Sequence, residues 1–388
     1  MYKIVKRILI GKFLLMSTVA LSTLIVSSQL GPTNFGFVAS VIAISSFFST
    51  SLIGPITTLI LREPITPNPK IAMSTWKMYA ISCAIYIIFL LLLFIIKDER
   101  ILQLHASVYL IIVMLAGLNS LITAFFFSNS KISKVNIHSI SPEIIFLIII
   151  LILLFIKELT IENVLIAWIS QATFAIFLVV YQRKNLLTKI FKRYYHKYDF
   201  VSSIMLGVQN LFRDRAILII GPLLFSFSDL GKLAFYLMII KIFISLNGSL
   251  ANLIISKKDA FNEDRSLIKN WIYLLILTTA IFFLCVYLFN QTNILIDYHI
   301  NEFQILSISA TLFFSFLFSL QLNNIYANYQ LKPFAIYQTI VTFCVLFFIY
   351  IFRESFDLFF INAFIVTVMS ISIAIYSLVC TEKKLKKM

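Results

Sequence analysis

The sequence predicts an all-α, polytopic membrane protein with about 12 transmembrane helices. Three features support this: the composition, the length of the apolar runs and the placement of the charges. Of the 388 residues, 60% are hydrophobic and 13% are charged, and the mean hydropathy is +0.96. A soluble domain is about half apolar and about a quarter charged, so lipid is the solvent for most of this chain. The apolar runs are roughly twenty residues long, which fits helices rather than the roughly ten-residue alternating strands of a barrel.

The apolar runs are separated by Gly, Pro and charged residues, and each is long enough to cross a bilayer. Their even number puts both chain termini on the same side of the membrane. The first run follows basic residues, as in a signal peptide, but it continues directly into a second run, which predicts a retained helix. The predicted spans are 8–30, 35–61, 75–96, 107–128, 140–156, 163–181, 200–221, 229–255, 269–290, 303–324, 333–352 and 356–379.

The basic residues predict the orientation. Loops on the side of the N-terminus hold about 22 of the 32 Lys and Arg residues, and the opposite loops hold four: Lys97, Arg100, Lys157 and Arg353. By the positive-inside rule, both termini are predicted to be cytoplasmic in a bacterial inner membrane. The net charge of +15 thus belongs to short membrane-flanking loops, and nucleic-acid binding is not predicted.

The longest polar break, at 182–199, divides the chain into two halves. We predict an N-terminal six-helix lobe at 1–181, a basic cytoplasmic linker at 182–199, a C-terminal six-helix lobe at 200–380 and a basic cytoplasmic tail at 381–388. The linker is expected to lie along the inner membrane surface, with Phe191, Tyr194 and Tyr195 in the interface and its bases near anionic headgroups. A solvated linker is the alternative.

Cysteine and histidine do not indicate a metal or redox site. The four cysteines and four histidines are scattered along the chain, and no CxxC pair is present. The sequence therefore predicts no metal site, no cofactor and no catalytic residue. The outward loops are also too short to fold as an appended catalytic module.

The two halves show a faint internal repeat. The segment TNFGFVA at 33–39 precedes the second span, and SDLGKLA at 228–234 precedes the eighth. Each follows a Gly-Pro pair, at 31–32 and 221–222, and Phe48 corresponds to Phe243 at the same offset. These identities occur at equivalent places, as expected of a duplicated transporter.

The seventh predicted span carries charges deep in the membrane, where an Arg, Lys or Asp costs about 2.5–3.5 kcal/mol on insertion scales. Asn210, Arg213 and Asp214 follow i, i+3, i+4 spacing and share a helical face. Arg215 lies about 200° around the helix from Arg213, so its role is left open. We expect Arg213 and Asp214 to face a cavity. The alternative is an ion pair between the lobes, made by Arg213 or Arg215 with Asp214.

Two further intramembrane charges are candidates. Lys241 begins a polar stripe on the eighth span and would add to a cationic lining with Arg213. Glu143 follows Ser141-Pro142 in the fifth span, where burial would favour a proton-coupling role. The alternative for Glu143 is a first-turn carboxylate that favours the helix dipole.

The turn LGPTNFGF at 30–37, the segment RDRAIL at 213–218 and the turn SDLG at 228–231 together resemble polysaccharide flippases of the multidrug/oligosaccharidyl-lipid/polysaccharide (MOP) exporter superfamily. The resemblance covers the whole chain in length and span count, and it is specific at the two turns. Phe35 and Leu230 stand where the family usually has a tyrosine before the glycine. The resemblance implies two six-helix lobes around a central cavity that opens alternately to each side.

The resemblance also implies a substrate, an undecaprenyl-pyrophosphate-linked oligosaccharide such as an O-antigen or capsule repeat unit, in contact with membrane lipids. Polysaccharide polymerase and chain-length proteins are candidate partners. Arg213, Lys241 and Asn210 would bind the anionic headgroup, and Asp214 and Glu143 are candidates for ion coupling. The sugars would follow a polar path lined by Asn119, Ser120, Thr123, Gln171 and serines of the second and tenth spans.

Two other functions remain open at this point. The first is a cation-coupled drug antiporter of the same superfamily, which should have an acidic, aromatic-lined cavity. The second is a membrane enzyme, such as an O-antigen polymerase or a lipid-linked glycosyltransferase. For an enzyme, the chemically suitable outward residues are Asp297, Tyr298 and His299, with Arg353 and Glu354.

Overall fold

A computed structural model shows helices throughout almost all of the residues it describes. These are 2–61, 64–66, 71–95, 106–129, 131–181, 184–220, 225–240, 265–292, 295–328, 331–352 and 355–385. The all-α membrane fold predicted from composition is thereby confirmed. Two compact units divide the chain: Met1–Leu30 with Val38–Leu211, and Gly31–Phe37 with Phe212–Met388. We refer to them as the first and second units.

Within the described residues, the first unit contains all or most of eight helices, a π-helical turn and a short sheet; Gly31–Phe37 of the first helix and the end of the eighth after Leu211 belong to the second unit. Helix α1 is interrupted at Gly31, whose φ of 68° and ψ of 169° are non-helical; a left-handed φ of this kind suits glycine. The elements are α1 (Tyr2–Phe47), the π-helix Phe48–Ile53, α2 (Gly54–Ile60), β1 (Ala72–Ser74), α3 (Thr75–Ile95), α4 (Ala106–Ser128), α5 (Ile132–Phe155), α6 (Ile161–Tyr181), α7 (Lys184–Phe191), β2 (Tyr194–His196) and α8 (Lys197–Ile220).

The π-helical turn lies directly before Gly54-Pro55, where the sequence permits a bend. The amide N–H of Gly54 donates to the carbonyl of Ser49, five residues back. Pro55 has no N–H and cannot continue the normal helical bonding, so the chain widens by one residue before α2 begins. Helices α2 and α4 pack against this turn.

The second unit contains α9 (227–240), α10 (Arg265–Asn290), the 3-10 turn Ile296–Tyr298, α11 (Glu302–Asn328), α12 (Leu331–Phe352) and α13 (Leu358–Leu385). Polar side chains join α11, α12 and α13. The amide of Asn362 donates to the Thr311 hydroxyl at 3.2 Å, and the Gln338 amide donates to the Ser372 hydroxyl at 2.9 Å. The Ser370 hydroxyl donates to the Phe314 carbonyl at 2.8 Å. Such bonds hold helices together in lipid, where helices gain little from burying apolar surface against each other.

The helices have the length and exposed apolar surface of membrane spans. Phe343, Phe347 and Tyr350 of α12 are 68%, 66% and 69% exposed, which in water would be a large apolar patch and in lipid is a normal outer face. Five helices within the described ranges are long and apolar enough to cross a membrane. They are Phe13–Ser45, Ser133–Phe155, Ile161–Tyr181, Pro333–Ile351 and Leu358–Ser377.

Candidate functional site

The proposed cationic site lies on α8, which is one continuous helix from Lys197 to Ile220. Its backbone places positions 210, 213 and 214 on one face, as the i, i+3, i+4 spacing predicts. Position 215 lies about 200° around the axis from position 213. The boundary between the two compact units also falls within this helix, after Leu211.

The part of α8 in the first unit uses small residues on this same face for close packing. A Cβ on Gly207 would lie 2.5 Å from the Ser51 carbonyl oxygen and 2.9 Å from Cγ of Pro55. The Ser51 hydroxyl donates to the Gly207 carbonyl at 3.0 Å, and Ser203, one turn earlier, is fully buried. By helical periodicity, positions 210 and 214 continue the stripe of Ser203 and Gly207. The charged segment thus follows the close-packed residues along the same helix.

Most of the predicted site side chains lie outside the described part of the chain. The backbone of α8 is described there, but its side chains at the predicted positions are not. The assignments to substrate binding and ion coupling made on α8 and on the eighth predicted span therefore stay predictions. The residues concerned are Asn210, Arg213, Asp214, Arg215 and Lys241.

Glu143 is the one predicted site residue whose side chain is described. It is half-buried and lies well inside α5, which begins at Ile132 rather than near position 140. The alternative role for Glu143, a first-turn carboxylate at a helix N-terminus, is therefore wrong, because the dipole effect is confined to the first turn. The ion-coupling role of Glu143 stays a prediction.

A buried polar pair in the first unit, His138 with Asn119, was not predicted as a unit. His138 is 1% exposed, and its Nδ1 lies 2.5 Å from Oδ1 of Asn119. The Asn119 amide donates back to the His138 carbonyl at 3.0 Å, so its oxygen must face the ring and Nδ1 must carry the proton. Asn119 and His138 belong to different helices, α4 and α5, and only a tertiary contact brings them together. Sequence spacing held no signal for the pair.

We expect Asn119→Ala to destabilise the first unit by about 2–3 kcal/mol, because the Nδ1–H and the carbonyl of His138 would lose their shared partner inside the protein. The matched control is Thr123→Val, since the Thr123 hydroxyl donates to the Asn119 carbonyl of its own helix, at 2.8 Å. Thermal denaturation of both purified variants in the same detergent measures the difference. Equal midpoints for the two variants would contradict a structural role for the pair.

Residues expected to line a polar sugar path are used largely for packing in this conformation. Ser51 of the second predicted span is fully buried against α8, and Ser45 is 5% exposed and bonds its own helix. On α11, Ser307 and Ser309 are 6% and 5% exposed. Ser120 and Gln171 are half-buried. The predicted path residues on α4 and α6 thus keep partial exposure, whereas these four serines of the second and tenth predicted spans are packed.

The two sequence repeats meet in the second unit as a close helix crossing. A Cβ on Gly36 would lie 2.1 Å from the Phe227 carbonyl oxygen and 2.7 Å from the Gly231 nitrogen. A Cβ on Gly231 would lie 1.8 Å from the Pro32 carbonyl oxygen and 3.0 Å from the Gly36 nitrogen. The contact is reciprocal, since each glycine meets the residue four before the other glycine. The weak internal repeat in the sequence thus corresponds to a locally two-fold symmetric contact.

Neighbouring side chains fix this crossing. The Ser226 hydroxyl accepts from the amide of Asp229 at 3.2 Å and donates to its carboxylate at 2.6 Å, which caps the start of α9. On the other side, the ring of Phe35 lies edge-on to Tyr298, with 6.2 Å between centroids. Burial raises the pKa of the Tyr298 phenol, and the neighbouring Asp297 raises it further. The phenol is therefore neutral, as its apolar surroundings require.

These features define a class of protein, a multi-pass α-helical membrane protein with an internal repeat. The sequence matches no protein-family model, and a comparison with curated proteins also gives no match. Comparison with solved structures does give matches. A chain named protein A aligns with a TM-score of 0.60 at 11% identity, over 98% of this chain and 94% of its own.

Two further matches carry informative descriptions. One is the inward-facing conformation of a multidrug resistance MATE family transporter of the MOP superfamily, with a TM-score of 0.54 at 11% identity, over 99% of this chain and 96% of that one. The other is a MOP superfamily transporter from Pyrococcus furiosus Vc1, with a TM-score of 0.53 at 12% identity over 99% and 96%. The chain therefore has the same fold as these solved structures, and the superfamily stays a prediction.

Proposed function

We propose that this protein is a flippase that moves a lipid-linked oligosaccharide, carried on undecaprenyl pyrophosphate, from the inner to the outer leaflet by alternating access. The repeat unit would belong to an O-antigen, a capsule or a related surface polysaccharide. The protein would act in the bacterial inner membrane with both termini cytoplasmic, as the loop charges predict. The fold of known transporters supports the transport part of this proposal.

The proposed substrate class rests on the balance of positive and negative charge within the predicted spans. Three basic residues, Arg213, Arg215 and Lys241, stand against two acidic ones, Asp214 and Glu143, in the interior of the predicted spans. A pyrophosphate carries two or more negative charges and loses its hydration on entering the membrane. Fixed cations compensate that loss, and Arg is suited to it because its guanidinium stays protonated and bonds phosphate oxygens in pairs.

A drug antiporter is the second candidate, since one structural match is described as a multidrug transporter. The description of the Pyrococcus furiosus protein links the reverse polarity of its binding pocket to a different function for that protein. Within this fold, pocket polarity is thus a property that can separate substrate classes. An excess of base over acid favours an anionic substrate over the cationic compounds that aromatic and acidic pockets bind.

The enzyme alternative gains no support from the outward segment around Tyr298. Tyr298 is 1% exposed, and its carbonyl accepts from the Tyr236 hydroxyl at 3.1 Å. The His299 carbonyl accepts from the Lys232 ammonium at 3.5 Å, and the amide of Asn290 donates to the Ile300 carbonyl at 2.8 Å. These contacts fasten the segment to α9 and α10, which is a packing role.

The test is reconstitution of the purified protein into vesicles that contain a fluorescent pyrophosphate-linked oligosaccharide. We expect the label to become accessible to an impermeant quencher or glycosidase on the opposite face, faster than in protein-free vesicles. A parallel set of vesicles would follow efflux of a cationic dye driven by a sodium or proton gradient. Dye efflux without movement of the lipid-linked sugar would overturn the proposal in favour of an antiporter, and elongation of the glycan would indicate an enzyme.

A further inference from the structure

The linker between the halves forms part of a small rigid structure on the first unit, which we call the inner platform and define as residues 71–77 and 189–198. Strands β1 and β2 pair antiparallel, with Ala72 opposite His196 and Ser74 opposite Tyr194. Further backbone bonds extend the ladder: the Lys197 amide donates to the Ile71 carbonyl at 2.9 Å, and the Thr75 amide donates to the Arg193 carbonyl at 3.0 Å.

The inner platform lies at the ends of α3 and α8, two helices that the sequence predicts to span the membrane. Strand β1 leads directly into α3, and β2 leads directly into α8. Of the predicted interfacial residues, Tyr195 is buried in the protein, and Phe191 and Tyr194 are half-buried. Phe191 packs on Trp76 and Tyr79, with centroids 5.2 and 6.1 Å away, and Tyr195 is 3% exposed. Burial raises the pKa of the Tyr195 phenol, although the nearby Arg193 acts in the opposite sense.

A different set of side chains faces outward. Ile71, Trp76 and Tyr198 are 40%, 55% and 59% exposed. Lysines border them: Lys77, Lys189 and Lys192 are exposed, and the Lys197 ammonium lies 5.3 Å from the centroid of the Tyr198 ring. Over 184–199 the chain has five Lys and Arg residues and one acidic residue, Asp199.

We propose that the inner platform binds the headgroups of anionic phospholipids in the inner leaflet. Trp and Tyr side chains prefer the headgroup level of a bilayer, where the ring is partly in apolar surroundings and its polar edge is hydrated. Lysines beside such rings are attracted to anionic lipid, and each lysine adds its own contribution to the binding free energy. The backbone ladder holds these groups in place before any lipid arrives, so little ordering is needed on binding.

The positive charge of the inner platform favours anionic phospholipid over the other candidate ligands. A second copy of the platform would present the same lysines and would be repelled. A zwitterionic lipid would satisfy the aromatic rings but would leave the lysines without a net anionic partner. The proposal concerns a surface apart from the intramembrane charges, so it stands or falls independently of the flippase function.

Trp76 provides the probe, because it is one of only three tryptophans in the chain. The full-length protein is reconstituted in phosphatidylcholine vesicles that contain a small fixed fraction of either brominated phosphatidylglycerol or brominated phosphatidylcholine. The difference in fluorescence quenching between the unmodified protein and Trp76→Phe measures lipid contact at the inner platform. We expect brominated phosphatidylglycerol to quench Trp76 several-fold more than brominated phosphatidylcholine, and high salt to reduce this excess.

Two matched variants separate the platform from charge in general. Lys192→Gln should remove most of this several-fold preference for phosphatidylglycerol, whereas Lys157→Gln, at an exposed lysine outside the platform, should leave it unchanged. Quenching by brominated phosphatidylcholine should be equal in both variants, which reports that the platform is still folded. Equal quenching by the two brominated lipids in the unmodified protein would overturn the proposal, as would an unchanged preference in Lys192→Gln.

Discussion

Arg213→Ala is expected to abolish translocation of the lipid-linked oligosaccharide while the protein still accumulates in the membrane. Removing one partner of a desolvated, hydrogen-bonded charge pair commonly costs about 2–5 kcal/mol, which corresponds to a fall in initial rate of about 30-fold to several thousand-fold. Arg213→Lys should retain part of the rate, since it keeps the charge but loses the paired hydrogen bonds of the guanidinium. The vesicle assay gives the rate, and immunoblotting gives the amount of protein.

Arg215→Ala is the matched control on the same helix. Position 215 lies about 200° around the α8 axis from position 213, so a single cavity cannot receive both, and a much smaller loss is expected. If Arg213 only pairs with Asp214 to hold the structure, Arg213→Ala should instead lower the amount of protein, and removal of both charges should restore it. Normal translocation by Arg213→Ala at normal protein levels would show that the positive charge of Arg213 is not needed for translocation.

Gly36→Ala is expected to destabilise the second unit by about 3 kcal/mol, the upper part of the range for overpacking. The added methyl group would meet backbone atoms of Phe227 and Gly231 at 2.1 and 2.7 Å. Backbone atoms cannot rotate away as a side chain can, so the whole helix crossing must shift. Gly231→Ala should be at least as damaging, because its methyl group would lie 1.8 Å from the Pro32 carbonyl oxygen.

Gly54→Ala provides the control for these glycine substitutions. A Cβ at Gly54 would have as its nearest neighbour the Ser49 carbonyl oxygen at 3.6 Å, an ordinary contact, and its φ of −49° suits any residue. We expect Gly54→Ala to leave the thermal denaturation midpoint unchanged or slightly higher, since glycine is a poor helix former. A midpoint for Gly36→Ala equal to that of Gly54→Ala would mean that the helices at this crossing are not in close contact.

Apolar length was enough to predict most helices of this fold. The fourth and sixth spans, predicted at 107–128 and 163–181, are Ala106–Ser128 and Ile161–Tyr181 in the structure. This agreement has a physical reason. The thickness of the bilayer sets the length of a spanning helix, so the length of an apolar run in the sequence gives the length of the helix directly.

Other features depend on contacts that composition does not encode. Helix α5 begins at Ile132, eight residues before its predicted start, because the polar stretch there is held by tertiary contacts. Gly11 packs directly on the side chain of Asn136, and His138 bonds Asn119. The strands β1 and β2 are three residues each and pair across more than a hundred positions, so no local pattern marks them.

The candidate site was predictable only in part. Helical periodicity was sufficient to put positions 210, 213 and 214 on one face, since α8 is a regular helix through that region. For Glu143 the sequence left two roles open, and the start of α5 at Ile132 excludes only the first-turn role. The glycine crossing was visible only as a weak repeat, and its meaning required the coordinates of Gly36 and Gly231.

The central claim is that fixed positive groups face a watery route through the lipid. Solvent accessibility of position 213 tests it most directly, with Arg213→Cys in a variant whose native cysteines are replaced and an impermeant, negatively charged thiol reagent added to reconstituted vesicles. We predict modification at position 213, slowed by a pyrophosphate-linked lipid, and little modification of a cysteine at position 215. A position 213 that stays unmodified from both faces, in a protein that is folded and inserted, would contradict the account.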